Sequence, residues 1–489
     1  MSNTAIDLLN AADITDWHSE HDLLVVGFGA AGACAAIESS QAGNSVLVVE
    51  RGSGIGGTTS LATGHFYLGG GTRVQLANGI EDSADEMFNY LMANTPNPDA
   101  EKIRCYADDS VSHFNWLVEQ GVPFNDGFYR KKHYEQPTDE CLIWSGNEKA
   151  WPYSQQAKPA PRGHKVEHPG SGGGAIVMQN LGETAKRLKV KFQFDAQVNG
   201  LIKNKAGRIV GLRYKSFGDT YYLRANKAVV IAAGGFSMNQ AMVEEHCPQL
   251  NAESVWPQGT PYDDGSGIQL GLAAGGQAIH MSQVFLTSPF YPPESLVKGI
   301  LVNQYGQRFI NEDSYHSRSA AACIEQPNGI AYLICDNATF GRPELKLQEL
   351  IDAWDTVEEM EQALALPTGT LQDTINDYNQ YAELGKDPTQ HKHADWLQPL
   401  NQPPFAALEC SFQKSSYTGF TLGGLQVSKD AEVLDHHLQA ITGLYAAGAC
   451  ASNIAQDGTG YSSGTCIGEA TYFGRRAAKH AHQLTPTLP

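Results

Sequence analysis

The chain has 489 residues, 42% of them apolar, and a formal charge of −19. That length supplies cores for two or three domains, and the negative charge argues against nucleic acid and against docking to anionic lipid. No run approaches the ~20 apolar residues that cross a bilayer, and the segment from Met1 to His21 lacks the basic and apolar regions of a signal peptide.

The first predicted strand is His21–Val26, a buried parallel strand by its apolar run. Gly27-Phe28-Gly29-Ala30-Ala31-Gly32 follows as a GxGxxG turn, then an alanine-rich helix over Ala33–Ala42 and a second strand, Ser45–Val49, ending at Glu50. Gly27 permits a tight turn, Gly29 lets backbone approach a pyrophosphate, and Gly32 allows helix–strand packing. The helix N-terminus offers free N–H groups to the phosphates, with Ala30 and Ala31 at its mouth. Glu50 lies 23 residues after Gly27, the spacing of a carboxylate that binds ribose hydroxyls. Strand, turn, helix, strand and acid together predict a dinucleotide site.

The loop Arg51-Gly52-Ser53-Gly54-Ile55-Gly56-Gly57-Thr58-Thr59-Ser60-Leu61-Ala62-Thr63-Gly64 continues directly from the acid. Ser83–Leu91 and Asp99–Glu119 show helical periodicity, interrupted by Asn94-Thr95-Pro96-Asn97-Pro98. Pro152–Gly174 is rich in proline, glycine and basic residues, and reads as a mobile loop over a cofactor or as a surface excursion. Phe192–Leu201 is a strand containing Val198. Ala228–Phe236 is another, running into Ala233 and Gly234. Asp263-Asp264-Gly265-Ser266-Gly267 is a turn entering a helix. Phe285, Phe290, Tyr291, Pro292 and Pro293 form an apolar cluster, suited equally to a pocket or to core. The pairs His391/His393 and His436/His437 lack companions at metal-ligand spacing, so no metal site is expected. Nine scattered cysteines include no Cys-x-x-Cys pair, which excludes a disulfide framework and points to a cytoplasmic protein. Gly443–Ala449, with Gly448, is a last strand. Gly458-Thr459-Gly460-Tyr461-Ser462-Ser463-Gly464-Thr465-Cys466-Ile467-Gly468 then runs into a final helix, Glu469–His482.

The Arg51–Gly64 loop, the 228–236 strand, the 263–267 turn and the 443–449 strand, in that order, resemble the fumarate reductase/succinate dehydrogenase flavoprotein superfamily. The resemblance implies an α/β fold: a Rossmann-like FAD-binding domain (1–277 and 415–489) with an inserted α+β cap domain (278–414). It implies non-covalent FAD, held by Gly27, Gly29, Ala30, Ala31, Gly32, Glu50, Arg51, Gly57, Thr58, Thr59, Ser60, Ala62, Gly64, Val198, Ala233, Gly234, Asp264, Gly448, Ala449, Ser463 and Ile467. His65, just past the loop, is the histidine to check for a covalent link.

The dicarboxylate reductases of this superfamily use an arginine proton donor after an Arg-Phe-x-Asn-Glu turn. Here Arg308-Phe309-Ile310-Asn311-Glu312 is followed by Tyr315-His316 at the matching place, and no His-Pro-Thr motif occurs over Met281–Pro289. Both departures argue against fumarate chemistry, although Arg318 remains within range. Tyr315 with Tyr461-Ser462-Ser463-Gly464 resembles the 3-ketosteroid dehydrogenases, and the short Tyr-x-Ser-Gly form resembles their Δ4-(5α) type. Carried over, the resemblance makes Tyr315, Tyr461, Ser463 and Gly464 the catalytic set, with His316 a further candidate. It implies a steroid as the small apolar substrate and an external electron acceptor. Three alternatives stay open: Δ1 desaturation, an enoate-type reductase of a bulky apolar acid, and a flavoprotein subunit that only relays electrons. Ser463 as a helix N-cap, Tyr461 as a plug stacked on the flavin and Tyr315 as core are the plain structural roles of the same residues.

Overall fold

The computed structural model describes residues 6–486. Its largest sheet is built on parallel strands: Lys191–Gln193, Val46–Val49, Ser19–Val26, Asp219–Ile231 and Ala440–Ala446 lie side by side in that order. Val46–Val49 and the end of Ser19–Val26 are buried on both faces, which is why they read as unbroken apolar runs. The long strand Asp219–Ile231 also pairs, through its first half, with an antiparallel ribbon of Ile209–Ser216 and Gln197–Lys203.

Two helices from opposite ends of the chain close one face of this sheet. Ala30–Gln41 and Thr465–His482 share one core, with Ala31, Ala35, Phe473 and Ala477 inside it. Gly474 makes the approach: a Cβ there would overlap the Ala31 carbonyl. The last helix thus starts four residues earlier than its apolar pattern suggests, because Gly464, at φ +98°, turns the chain directly into it.

A second sheet joins His65–Tyr67, Gly163–Lys165, Leu142–Ile143 and Phe128–Tyr129. The Pro152–Gly174 segment is not wholly a surface excursion: Ala160–Val166 is buried throughout. Its anchor is Arg162, fully buried and gripping Asp82 with two parallel bonds of 3.0 and 2.7 Å. Its charge is neutralised where it lies. The helices Ala84–Asn94 and Ala100–Glu119 form as the periodicity predicts, capped by the Ser83 and Asp99 side chains.

A third, antiparallel sheet, Ile300–Asn303, Ala331–Cys335, Phe405–Glu409 and Leu350–Trp354, carries its own core with Met360, Leu371, Ile375 and Tyr378 from two helices. The chain enters this unit along Val284–Thr287 and leaves it along Tyr417–Thr421, and these two strands pair antiparallel. No helix among the described residues is long and apolar enough to cross a membrane.

Candidate active site

The dinucleotide turn has the expected mechanics. Gly27 sits at φ +93°, and a Cβ there would lie 2.5 Å from the Ala232 carbonyl, so the turn is wedged against the strand that leads to Ala233 and Gly234. Of the N–H groups that open the helix, that of Ala30 is taken by Thr59 Oγ1 at 3.1 Å and that of Ala33 by the Gly29 carbonyl. Those of Ala31 and Gly32 have no partner among the described residues, the arrangement an anion needs. Glu50 accepts the N–H of Phe28 and of Gly52, each at 2.7 Å; the bonds fix its carboxylate at the end of the second strand.

Gly57, Thr58, Thr59, Ser60 and Leu61 form a short 3-10 turn against Gly29, whose Cα would lie 3.7 Å from a Cβ at Gly57. Ala62 accepts the N–H of Gly174, and Gly64, at φ +82°, presses on Gly173. Arg51 pairs with Asp264, and Thr58 donates to Asp263; the loop is thereby tied to the 263–264 turn. Gly448, at φ +77°, approaches Ala31, with Ala449 beside Gly235. Val198 lies at the start of the antiparallel ribbon, two residues after Ala196, which donates to the Glu50 carbonyl. Ile467 packs into the core shared by the two terminal helices. Narrow glycine approaches, unbonded N–H groups at a helix N-terminus and a fixed carboxylate suit a dinucleotide.

Comparison with known proteins agrees. The model of the FAD binding domain family matches residues 22–466. The chain belongs to the FAD binding domain family. It is an FAD-dependent oxidoreductase of that family. Among solved structures it resembles 3-ketosteroid-Δ4-(5α)-dehydrogenase from Rhodococcus jostii RHA1 in complex with 4-androstene-3,17-dione, at 39% identity and a TM-score of 0.91, over 98% of this chain and 100% of that one. A 3-oxo-5-alpha-steroid 4-dehydrogenase of Comamonas testosteroni is 27% identical over 90% of this chain and 94% of its own. A vinyl phenol reductase of Lactiplantibacillus plantarum is also 27% identical, over 96% and 97%.

At the other end of the family fold, three of the four candidate catalytic residues lie on the segment entering the last helix. Tyr315, from the third-sheet unit, reaches them: its hydroxyl lies 2.5 Å from Ser463 Oγ. Ser463 does not cap the helix; Gly464 does so without a side chain. A Cβ at Gly464 would lie 2.6 Å from backbone atoms of Phe66 and Tyr67, so this position accepts only glycine. The Gly464 carbonyl receives the N–H groups of Tyr67 and Gly468, while its own N–H has no partner among the described residues. Tyr461 Oη accepts the N–H of Cys466 at 3.4 Å, and its hydroxyl also bonds to the Cys466 thiol.

Tyr461 does not bond to Tyr315; their ring centres are 6.5 Å apart. Phe285 and Phe420, cross-strand partners on the two connecting strands, enclose Tyr461 at 4.6 and 5.9 Å. With Tyr315, Leu422 and Ala455 they form one apolar cluster. The predicted cluster around Phe285 is therefore divided: Phe290 and Tyr291 belong to a different core. Phe420 and Leu422 escaped the sequence reading; only alternation along Tyr417–Thr421 before a Gly-Gly pair marks them.

Burial pushes the Tyr315 and Tyr461 hydroxyls well above the usual tyrosine range, and the Ser463 bond to Tyr315 only partly opposes this. His316 lies against the Tyr315 ring, 3.9 Å between centres. Burial, then Lys132 and His65, lowers its pKa to about 3, so it stays neutral. Its Nδ1 meets Thr287 Oγ1 at 2.5 Å, and its Nε2 is buried without a partner. Arg318 is committed elsewhere: its guanidinium donates to Ser314 Oγ, Asn311 Oδ1 and the Trp151 carbonyl. His65 has both ring nitrogens engaged, by Thr63 Oγ1 at 2.7 Å and Gln136 Oε1 at 3.1 Å.

Proposed function

We propose that this flavoenzyme desaturates a 3-ketosteroid between C4 and C5. The single observation that carries the reading is the 2.5 Å contact between Tyr315 and Ser463 beside Tyr461. When bound, FAD supplies the hydride acceptor for the hydrogen leaving C5. Tyr461, turning its hydroxyl from the weakly accepting Cys466 thiol to the substrate, and Gly464, through its unpartnered N–H, hold the 3-keto oxygen and stabilise enolate character as the C4 proton departs. Tyr315 takes up that proton as its own hydroxyl proton passes to Ser463, whose hydroxyl proton in turn leaves to solvent. The Phe285–Phe420 wall supplies an apolar face for a flat polycyclic substrate.

Residues 278–414 act as the cap over the substrate, on an FAD-binding domain formed by 1–277 and 415–489. The fully engaged ring of His65 favours non-covalent FAD. Electrons pass to an external acceptor. The nine unpaired cysteines favour a cytoplasmic enzyme.

A second reading, reduction of a bulky aromatic alkene, draws on the aromatic enclosure of Tyr461 and on the likeness to the vinyl phenol reductase. Anaerobic mixing of the yellow protein with saturated 3-ketosteroids separates the two. Bleaching of the flavin supports desaturation, and Tyr461→Phe should then keep the flavin spectrum but lose most of the bleaching rate. Bleaching by no steroid, with oxidation of the reduced protein by a vinyl phenol, would overturn it.

A further inference from the structure

Tyr315 and Ser463 lie 148 residues apart, on segments that meet only at this site. Hydroxyls held at 2.5 Å require both backbones to be fixed, because side chains at a reacting centre are only as precise as the groups behind them. One buried loop, Ser145-Gly146-Asn147-Glu148, reaches both. Asn147 Oδ1 accepts the N–H of Tyr315 at 2.8 Å, and the Ser145 carbonyl accepts the N–H of Ser463 at 2.7 Å. The loop is itself held from behind: the Asn147 N–H donates to Tyr90 Oη at 2.8 Å, and Tyr90 Oη shares a hydrogen bond of 2.9 Å with Ser462 Oγ.

Asn147, Tyr90 and Ser462 are each 1% exposed, so water cannot replace any of these bonds. Gly146 has no room for a side chain: a Cβ would lie 2.5 Å from Tyr90 Oη and overlap Ser462 Oγ. The loop therefore lies flush against the segment that carries Ser463. Lys132 steadies the neighbouring turn by donating to the Asp313 carbonyl at 2.5 Å, but Asn147 is the side chain that grips Tyr315 itself.

We propose that Asn147 is a positioning residue for the reaction, clasping the Tyr315 backbone to the loop that also fixes Ser463. The inference rests on the Tyr315–Ser463 pair as the proton-handling unit. Removing the clasp leaves the Tyr315 backbone free to shift against the Ser463 segment, and misplacement by about 1 Å costs on the order of 100-fold in rate.

The test uses the full-length holoenzyme and three variants. Asn147→Leu should retain the flavin spectrum, melt somewhat lower because the Tyr315 N–H is stranded, bind steroid within about twofold of wild type, and bleach roughly 10- to 100-fold more slowly. Asn147→Asp keeps an acceptor for the Tyr315 N–H and should recover most of that rate. Tyr90→Phe, which removes the bond behind Asn147 and keeps the ring, should be slowed less than Asn147→Leu, and it decides the matter if Asn147→Leu does not fold. Crystal structures of the variants give a readout that needs no substrate: the Tyr315–Ser463 separation should open beyond hydrogen-bond reach. Unchanged bleaching in Asn147→Leu and Tyr90→Phe, or a pair still at its wild-type separation in the variant structures, would overturn the proposal. If wild type bleaches with no steroid, the substrate assignment fails while the variant separation still decides the clasp.

Discussion

Tyr315 and Ser463 should behave as one unit, and a double-mutant cycle measures this. Tyr315 is 3% exposed, and its hydroxyl has Ser463 as its partner. Ser463→Ala strands that hydroxyl in apolar surroundings, a cost of about 1–3 kcal/mol of stability. Tyr315→Phe leaves only the Ser463 hydroxyl, which is partly exposed and can turn to water, so the cost is about 0.5–1.5 kcal/mol. The double variant removes both partners and should recover part of the sum, with a coupling on the order of 1 kcal/mol. In rate, each single change should cost about 10²- to 10⁴-fold if the pair transfers a proton. The double change should cost no more than the worse single, since residues acting as a unit lose their effect together. Anaerobic stopped-flow bleaching by a saturated 3-ketosteroid gives the rates, and urea unfolding gives the stabilities. Losses that multiply in the double variant would refute the shared role.

Three further expectations follow from the same geometry. Because burial holds the Tyr315 and Tyr461 hydroxyls well above pH 10, the deprotonated fraction grows about tenfold per pH unit below that point. Bleaching should climb through pH 8–10 without a plateau, and a levelling off below pH 9 would contradict it. Gly464→Ala combines a left-handed backbone with a backbone clash; about 1–2 kcal/mol for the former and about 1–3 for the latter should appear in urea unfolding, and a neutral result would exclude the observed path of the chain. Glu50→Gln exchanges charge-assisted bonds for neutral ones; at about 1–2 kcal/mol, FAD should dissociate roughly five- to thirtyfold more readily, measured by flavin fluorescence after dilution.

Local signals carried much of this molecule. The nucleotide turn is legible because each of its parts is contiguous: a glycine that must wedge against a strand, a helix mouth, an acid at the strand end. Tyr461, Ser463 and Gly464 are likewise adjacent in sequence. What brings Tyr315 to Ser463 is not local. Nor is the meeting of Phe285 with Phe420, which depends on the strands that enter and leave the third-sheet unit. Asn147 sits in a loop without periodicity, and its importance lies wholly in the two distant N–H groups that the loop receives. In Pro152–Gly174 the composition marks the exposed ends of the segment but not its buried middle, Ala160–Val166. The buried Arg162–Asp82 pair, which no local pattern announces, draws it inside.

The packing of Gly474 on Ala31 has a consequence for biosynthesis. A chain grows from its N-terminus, yet the strand Ala440–Ala446 and the helix Thr465–His482 are made long after the glycine fingerprint, and both pack against its sheet and helix. A ribosome-bound chain that has already displayed its glycine fingerprint thus still lacks one wall of the cofactor cradle. Long-range pairing of this kind is slow to close and leaves apolar surface exposed while it waits. Flavin capture should therefore wait for these two elements, and a product truncated before Ala440 should emerge colourless and prone to aggregate.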